Sequence, residues 1–282
     1  MSMTLAGKHV AILGAGRSGR AAAMLALREG AEVSIWDAAG EEAFAGMPEG
    51  VALHPHANEE TGRGVHCDLL VVSPGIDTYG PYVAAFATHA GEVIGEVELA
   101  SRYYKGKIVG ITGTNGKTTT TGIVGRILEH ASLGGTPCGN FGTPFAEVVL
   151  QSHPPAAVAL ELSSFQLETI RTLRPDVAVW LNFAPDHMDR YPTVQAYREA
   201  KLRIFQNLKP DDVAVIPFGG ELPAPTSKPI TFSTIDPAAD WFSDGVLIFH
   251  RGEVCADLNR DSFLRGLHNA ENAMAAMAAC DA

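Results

Sequence analysis

Basic residues are scarce in this sequence of 282 residues, with 21 Lys and Arg against 32 Asp and Glu. The resulting formal net charge of −11 argues against a general nucleic-acid-binding protein, because binding to phosphate backbones requires clustered Lys and Arg. An acidic protein can still bind small anions where loops and helix ends supply local positive potential. We therefore expect no nucleic-acid partner.

Cysteine is also rare, and its positions are scattered: Cys67, Cys138, Cys255 and Cys280. No pair has a C-x-x-C or other metal-ligand spacing, so small buried residues in a reducing compartment are favoured over structural zinc or a disulfide framework. The sequence also lacks an apolar run of membrane-spanning length and an N-terminal signal-peptide pattern. We expect a cytoplasmic soluble protein without a membrane span.

Strand and helix patterns alternate along the chain and predict an α/β fold in two domains, residues 1–96 and 97–282. The alternation predicts mainly parallel sheets, with ligands beyond the carboxyl ends of the strands. The predicted strands are His9–Leu13, Glu32–Trp36, Cys67–Ser73, Lys107–Thr112, Ala157–Glu161, Asp176–Asn182 and Val213–Pro217. A small hairpin is expected within Asp244–Val254, and helices are expected at Thr193–Leu208 and Asn269–Ala279.

A G-x-G-x-x-G motif, formed by Gly14, Gly16 and Gly19, lies between a predicted strand and a predicted helix, and Asp37 ends the next strand. This is the pattern of a dinucleotide-binding loop, in which backbone N–H groups and a helix dipole face a diphosphate and the acid binds a ribose. Taken alone, the motif favours a nicotinamide-dependent dehydrogenase. The same backbone chemistry suits the diphosphate of a nucleotide sugar, and a tightly packed turn without a ligand is a third interpretation.

A second glycine-rich segment, Gly113–Thr119, also follows a predicted strand and enters a helix. Gly116, Lys117 and Thr118 have the chemistry of a nucleoside-triphosphate loop: backbone N–H groups surround phosphate, the lysine neutralises it, and the hydroxyl binds Mg²⁺. The strict motif fails at one position, because Ile111 stands where it requires glycine. Strand, loop, lysine, hydroxyl and helix still occur in the required order, so ATP is the favoured ligand.

A lysine interrupts the apolar face of the predicted helix Thr193–Leu208. Lys201 lies one turn after Tyr197 and one turn before Phe205. In one interpretation its stem covers apolar surface while the ammonium reaches water. A buried ammonium must instead find a counter-charge, lose its proton or be modified.

Two further polar residues follow predicted strands. Glu161 ends a strand at the edge where a carboxylate suits a metal ligand, and its alternative role is to stabilise the N-terminus of the next helix. His187, in the segment Asp186–Asp189, suits metal or phosphate binding, and a structural hydrogen bond is its alternative role.

Several motifs occur together in one order: Thr112–Thr118, Glu161–Ser164, Asn182 with Asp186 and His187, Lys201, and His268–Asn272. In this combination the sequence resembles the Mur ligase family over nearly its whole length. The strings ELSSFQLE, DHMDRY and YREAKLRIF are most similar to members that add D-glutamate to UDP-N-acetylmuramoyl-L-alanine in peptidoglycan synthesis. The resemblance implies an N-terminal Rossmann-like UDP-sugar-binding domain, followed by a P-loop-type ATP-binding α/β domain.

The resemblance also implies roles for individual residues. Those implied in UDP-sugar binding are Gly14, Ala15, Gly16, Arg17, Ser18, Asp37, Ser73, Pro74, Gly75, Asn140, Ser163 and Gln166. Those implied in ATP binding are Gly113, Thr114, Asn115, Gly116, Lys117, Thr118, Thr119, Asn269 and Asn272. The implied ligands of Mg²⁺ are Thr118, Glu161, His187 and Lys201, the last as a CO₂-derived carbamate. The implied catalytic residues are Lys117, Lys201 and His187.

The implied reaction is an ATP-dependent ligation. The acceptor carboxylate attacks the γ-phosphate of ATP, and the D-glutamate amine then attacks the acyl phosphate. Family members carry a third, C-terminal domain that binds the incoming amino acid, so we expect that domain and the D-glutamate pocket to be absent here. We also expect a monomer with weak or absent ligase turnover. The open alternatives are a nucleotide-binding dehydrogenase and a non-catalytic binding module.

Overall fold

The structure is a computed structural model that describes residues 4–220, 227–260 and 266–282. These residues form two compact units. Unit 1 comprises the chain up to Lys105 together with Thr143–Pro154 and Phe165–Leu173, and unit 2 comprises Gly106–Gly142, Pro155–Ser164 and the chain from Arg174 onward. The domain bounds predicted above, 1–96 and 97–282, stay a prediction.

Unit 1 is built on a parallel sheet with the strand order β3-β2-β1-β4-β5. Its strands are β1 (His9–Leu13), β2 (Glu32–Trp36), β3 (Val51–His54), β4 (Leu69–Val72) and β5 (Val93–Gly95). Its helices are α1 (Arg17–Arg28), α2 (Glu59–Arg63), α3 (Pro81–Ala87), α4 (Glu96–Ser101) and α6 (Phe145–Val149), with a 3₁₀ turn at Glu41–Phe44. The central strands β1 and β4 are apolar and almost wholly buried, as expected where helices cover a parallel sheet.

Unit 2 contains a mixed sheet with the order β14-β13-β12-β11-β10-β9-β6-β8-β7. Its strands are β6 (Lys107–Thr112), β7 (Gly134–Gly139), β8 (Ala157–Glu161), β9 (Val177–Trp180), β10 (Val213–Pro217), β11 (Lys228–Ser233), β12 (Trp241–Ser243), β13 (Leu247–His250) and β14 (Glu253–Asp257). Its helices are α5 (Lys117–His130), α8 (Val194–Leu202) and α9 (Leu267–Asp281). The short helix α7 (Ser164–Glu168) is shared, because Ser164 belongs to unit 2 and its other residues belong to unit 1. Along this order, all neighbours from β7 through β6 to β12 pair in parallel. The pairs β12–β13 and β13–β14 are antiparallel.

The core of unit 2 depends on close packing between α5 and α9. Helix α9 is rich in alanine, and its buried positions include Ala270, Ala273 and Ala276. Small side chains let two helices approach closely while each still covers the apolar strands of the sheet. This packing brings the first turns of α9 next to the start of α5.

In unit 1, a buried carboxylate on α4 anchors the segment that follows α7. The side chain of Glu98 is fully buried, and it accepts hydrogen bonds from the backbone N–H groups of Arg171 (2.9 Å), Thr172 (3.0 Å) and Leu173 (2.8 Å). The Thr172 hydroxyl (2.6 Å) and Arg102 Nε (2.9 Å) donate to the same carboxylate. Burial alone would raise the pKa of Glu98, but these hydrogen bonds hold the pKa below its usual value. The segment is thereby joined to unit 1.

The predicted α/β fold with mainly parallel sheets is confirmed. The hairpin expected within Asp244–Val254 is formed by β13 and β14. The helix predicted at Thr193–Leu208 is shorter than expected, because α8 ends at Leu202 and a 3₁₀ turn, Arg203–Phe205, follows. Within the described residues, no helix combines the length and the apolar character that a membrane crossing requires.

Candidate functional site

The loop between β6 and α5 has the geometry of an anion-binding turn. Gly116, directly before the helix, has φ = 84°, in the left-handed region that favours glycine. A Cβ atom at this position would also collide with the side-chain amide of Asn272. Because the first N–H groups of a helix lack intrahelical acceptors, this end of α5 suits a phosphate. Thr118 and Thr119 lie in the exposed first turn.

Lys117 turns back over the same loop. Its Nζ donates to the carbonyl oxygens of Gly113 (3.0 Å) and Thr114 (2.9 Å). Burial lowers the pKa of Lys117, and the carboxylates of Glu161 and Asp186 oppose that shift. The ammonium is therefore held at the loop, within the electrostatic reach of two carboxylates.

Lys201 is buried, so the interpretation that its ammonium reaches water is wrong. Only 1% of the residue is exposed, and Nζ donates to the carbonyl oxygen of Gly113 at 2.8 Å. The ammonium lies 4.8 Å from the centre of the Tyr197 ring. Burial first, and then the positive charge of Lys117, lower the pKa of Lys201 to about 7, while the carboxylates of Asp186 and Glu161 oppose the shift. A substantial fraction of this lysine is thus an uncharged amine near neutral pH.

Glu161 is buried at the end of β8 with one oxygen unused. Its Oε1 accepts from Asn140 Nδ2 at 2.7 Å, whereas Oε2 is buried and has no hydrogen-bond partner among the described residues. A buried carboxylate oxygen without a partner is costly and fits a hard cation such as Mg²⁺. Among the described residues no group of three or more His, Cys, Asp and Glu is placed to hold a metal ion. A Mg²⁺ here would take its remaining ligands from hydroxyl, phosphate and water oxygens.

His187 lies on an exposed turn, unlike the buried residues Lys201 and Glu161. Its backbone is in the left-handed region, with φ = 55°, and its ring contacts Tyr197 edge-on at 5.8 Å. Its Nε2 is 3.7 Å from the carboxylate of Asp186. Its predicted roles in metal binding and catalysis stay predictions.

The two asparagines of α9 differ in exposure. Asn272 is buried, and its Oδ1 accepts from the Thr120 hydroxyl at 3.4 Å. It thus packs below Gly116 and supports the loop from α9. Asn269, in the first turn of α9, is only partly buried, and its N–H donates to the Gly266 carbonyl oxygen at 3.0 Å.

The glycine loop of unit 1 combines close packing with one open position. A Cβ atom at Gly14 would lie 2.7 Å from Ser73 Oγ, and one at Gly19 would collide with the Gly14 carbonyl oxygen. A Cβ atom at Gly16 would meet no atom within 4 Å. Gly14 and Gly19 are therefore required by packing, and Gly16 faces the space that a diphosphate can approach.

Asp37 is bound to the loop itself. Its carboxylate accepts from the Ala15 N–H at 2.7 Å and from the Ala39 N–H at 2.9 Å. Its predicted contact with a nucleoside stays a prediction, and the structure adds a role in fixing the loop.

The remaining residues predicted for UDP-sugar binding are divided between the units. Arg17 and Ser18 begin α1, Ser73 donates to the Gly14 carbonyl oxygen at 3.5 Å, and Pro74 and Gln166 line one small cavity of unit 1. Glu96 also lines that cavity, and burial raises the pKa of its carboxyl to about 7. Gly75 follows Pro74 in unit 1, whereas Asn140 and Ser163 belong to unit 2.

Asn182 is a motif residue for which the sequence predicts no individual role. Its side chain contacts the loop between β6 and α5. The signal that identifies it is positional: it follows β9, the parallel neighbour of the strand that leads into that loop.

Comparison with known proteins identifies similar sequences. A family model described as the Mur ligase middle domain matches residues 111–280. A UDP-N-acetylmuramoylalanine--D-glutamate ligase of Anaeromyxobacter dehalogenans is 41% identical, with 97% of this chain and 63% of the relative covered. One of the same name from Geobacter metallireducens is 37% identical, covering 99% of this chain and 66% of the relative. The chain thus spans just under two thirds of the length of these relatives.

Solved structures share the fold at lower sequence identity. A UDP-N-acetylmuramate:L-alanyl-gamma-D-glutamyl-meso-diaminopimelate ligase from Neisseria meningitides superposes with a TM-score of 0.66 at 21% identity, covering 98% of this chain and 94% of that one. A MurF ligase from Thermotoga maritima, in complex with ADP, gives a TM-score of 0.52 at 20% identity, covering 99% and 61%. At these identities the likeness supports the fold alone.

Proposed function

The chain belongs to the Mur ligase family, and we propose that it supplies the acceptor-binding and ATP-binding units of an enzyme that joins D-glutamate to UDP-N-acetylmuramoyl-L-alanine in peptidoglycan synthesis. The observation that carries the proposal is the convergence of Lys117 and Lys201 on the Gly113 carbonyl oxygen, at the loop that begins α5. The choice of D-glutamate rests on the names of the similar sequences.

ATP binds with its terminal phosphates at the N-terminal turn of α5. Backbone N–H groups from Gly116 onward donate to the phosphate oxygens, and Lys117 exchanges its carbonyl partners for the γ-phosphate. The ammonium is most useful in the transition state, where charge is spread over the transferred phosphoryl group.

The hydroxyl of Thr118 and the unpaired Oε2 of Glu161 would hold Mg²⁺. When bound, the ion neutralises phosphate charge and polarises the phosphorus–oxygen bonds. Asn140 orients the Glu161 carboxylate through the hydrogen bond to its other oxygen.

Lys201 is suited to carbamylation because burial keeps part of it uncharged. Its neutral amine attacks the carbon of CO₂, a C–N bond forms, and the nitrogen loses one proton to solvent. The side chain changes from a potential cation to a carbamate of charge −1, which can act as an oxygen ligand for a second Mg²⁺, with His187 as the other proposed protein ligand.

The proposed reaction has two steps. The carboxylate of the acceptor, held by unit 1 through the Gly16 turn and Ser73, attacks the γ-phosphorus of ATP, and the bond to the bridging oxygen breaks to release ADP. The amine of D-glutamate then attacks the acyl carbon, and phosphate leaves as the amide forms and the nitrogen loses a proton. Correct positioning of the two substrates supplies much of the acceleration.

Calorimetry on the Lys117→Ala variant tests the ATP site. We expect Mg-ATP affinity to fall about 100-fold, roughly 2.7 kcal/mol, because the variant loses the ammonium that faces the phosphates. The affinity for UDP-N-acetylmuramoyl-L-alanine should stay unchanged.

The matched control is Lys107→Ala, which removes an exposed lysine of the same unit that pairs with Asp176. It should bind Mg-ATP as tightly as the unaltered chain. Equal affinities in both variants would contradict the proposal, and binding of NADH in a fluorescence titration would favour a dehydrogenase instead.

A further inference from the structure

Asn182 lies immediately beyond β9, beside the loop that follows β6. Thr112 is opposite Trp180 in the parallel pair, so the segments that leave the two strands continue side by side. The Leu181 N–H donates to the Thr112 carbonyl oxygen at 3.0 Å, and the Thr114 N–H donates to that of Asn182 at 3.1 Å. The ladder of hydrogen bonds therefore extends past the strands and into the phosphate loop.

The side chain of Asn182 pairs with both backbone polar groups of Asn115. Its Oδ1 accepts from the Asn115 N–H at 2.9 Å, and its Nδ2 donates to the Asn115 carbonyl oxygen at 3.1 Å. A primary amide offers the same donor and acceptor as a peptide group, so the two residues form a closed ring of two hydrogen bonds. Such a ring fixes orientation as well as position, because rotation of the backbone at Asn115 breaks both bonds.

A phosphate loop needs restraint of this kind. Backbone N–H groups that face one anion point in similar directions, and their dipoles repel one another. Thr114 supplies one tie, since its hydroxyl donates to the Ala184 carbonyl oxygen and accepts from the Ala184 N–H, both at 3.0 Å. Asn182 supplies a further restraint through its hydrogen bonds to the backbone of Asn115, the residue directly before Gly116.

We infer that Asn182 is a positioning residue for nucleotide binding, whose amide holds the backbone of Asn115 so that the N–H groups following it stay directed at the phosphates of ATP. The inference rests on the proposed function, since it requires that this loop binds a nucleoside triphosphate. The Asn182 amide is neutral and is hydrogen-bonded to the Asn115 backbone. It therefore affects nucleotide binding by keeping the loop in one conformation, and not by contacting the phosphates.

Two measurements on the full chain test the inference: Mg-ATP affinity by calorimetry, and amide hydrogen exchange by NMR. For Asn182→Ala we expect affinity to fall about tenfold, because a smaller fraction of molecules holds the binding-competent loop. Exchange at Asn115 should become at least about tenfold faster, while Val109 in β6 keeps its protection. The control Gln195→Ala removes an exposed amide of α8 that donates to Glu199, and it should change neither quantity.

A second variant keeps the test decisive if Asn182→Ala does not fold. Asn182→Asp retains the acceptor for the Asn115 N–H at the same length but loses the donor to its carbonyl oxygen. We expect the Asn115 amide to stay protected and Mg-ATP to bind at least about threefold more weakly, because half of the ring is lost and the new negative charge opposes the phosphates. Unchanged affinity in Asn182→Asp would overturn the inference.

The outcomes separate the two proposals. An unaltered chain that does not bind Mg-ATP would overturn the proposed function. If the unaltered chain binds Mg-ATP, and Asn182→Ala matches Gln195→Ala in affinity and in exchange, the inference alone is wrong. Lower stability of Asn182→Ala with unchanged affinity would also overturn it, because the residue would then stabilise the fold without positioning the loop.

Discussion

The two glycine loops of this protein are tied to their sheets in the same way. One follows β1 and enters α1, and the other follows β6 and enters α5. In each, a side chain just past the neighbouring parallel strand accepts from a backbone N–H of the loop. Asp37 accepts from Ala15 at 2.7 Å, and Asn182 accepts from Asn115 at 2.9 Å.

The loops differ in charge. A carboxylate lies against the loop of unit 1, whereas a neutral amide restrains the loop of unit 2, where Lys117 and Lys201 both donate to Gly113. A carboxylate opposes an approaching anion, and ammonium groups attract it. Backbone geometry therefore determines where phosphate can approach, and side-chain charge determines how much phosphate charge is favoured. This difference supports the proposed binding of a diphosphate ester by unit 1 and of a triphosphate by unit 2.

The largest expected effect is a loss of stability in the glycine loop of unit 1, where Gly19 serves packing and Gly16 is proposed to serve binding. In Gly19→Ala the new methyl group collides with the Gly14 carbonyl oxygen, so the free energy of unfolding should fall by about 3 kcal/mol. Urea unfolding measures this loss, and hydrogen exchange in β1 and β4 assigns it to unit 1.

The matched variant is Gly16→Ala, in which the methyl group enters open space and the backbone, with φ = −72°, accepts alanine. Stability should change by less than about 0.5 kcal/mol. Affinity for UDP-N-acetylmuramoyl-L-alanine should fall about tenfold, because the methyl group enters the space that we propose for the diphosphate. Equal stability losses in the two variants would contradict the division of roles.

An intermediate effect is expected from Lys201→Met, which removes a buried positive charge from unit 2. In CO₂-free buffer at pH 6, the variant should be more stable than the unaltered chain by about 1–3 kcal/mol, because a hydrophobic side chain of similar length has no charge to desolvate. Urea unfolding at several pH values measures the difference.

The sign of the pH dependence follows from the lowered pKa. Folded Lys201 loses its proton above about pH 7, whereas an unfolded lysine keeps its proton until about pH 10.4. The unfolded state thus binds more protons within that window, and the unaltered chain gains stability as pH rises. The stability advantage of Lys201→Met over the unaltered chain should be greatest below about pH 7 and smallest near about pH 10.4. A difference independent of pH would show that Lys201 does not titrate as described.

The smallest effect is expected for Asp37→Asn. The amide keeps an acceptor oxygen for the Ala15 N–H but loses the negative charge and the second oxygen, which accepts from the Ala39 N–H, so the free energy of unfolding should fall by about 1 kcal/mol. Asp37→Ala removes the acceptor and should cost more. If Asp37→Asn costs as much as Asp37→Ala, the hydrogen bond from the Ala15 N–H does not stabilise the loop.

Features set by local patterns could be predicted from the sequence. The strand, glycine loop and helix of each unit depend on residues within a short stretch, and β1, β2, β6, β8 and β10 have the predicted bounds. The roles of Gly14 and Gly19 also follow from their spacing, because a strand-to-helix turn brings them together.

Features that depend on distant contacts could not be predicted. The sequence placed Lys201 on an apolar face, but its burial depends on the approach of α8 to Gly113, 88 residues away. The attachment of Phe165–Leu173 to unit 1 depends on Glu98, which no local pattern connects to that segment. The role of Asn182 required knowing that β9, and not the next strand in the chain, lies beside β6.

The position of Asn272 below Gly116 has a consequence for the order in which the protein can fold. A chain is synthesised from its N-terminus, and contacts between residues far apart in sequence form late. The turn at Gly116 is translated early, yet its packing partner arrives only when α9 leaves the ribosome. The Gly116 turn therefore gains this contact only after every strand that the structure describes in its sheet has been translated.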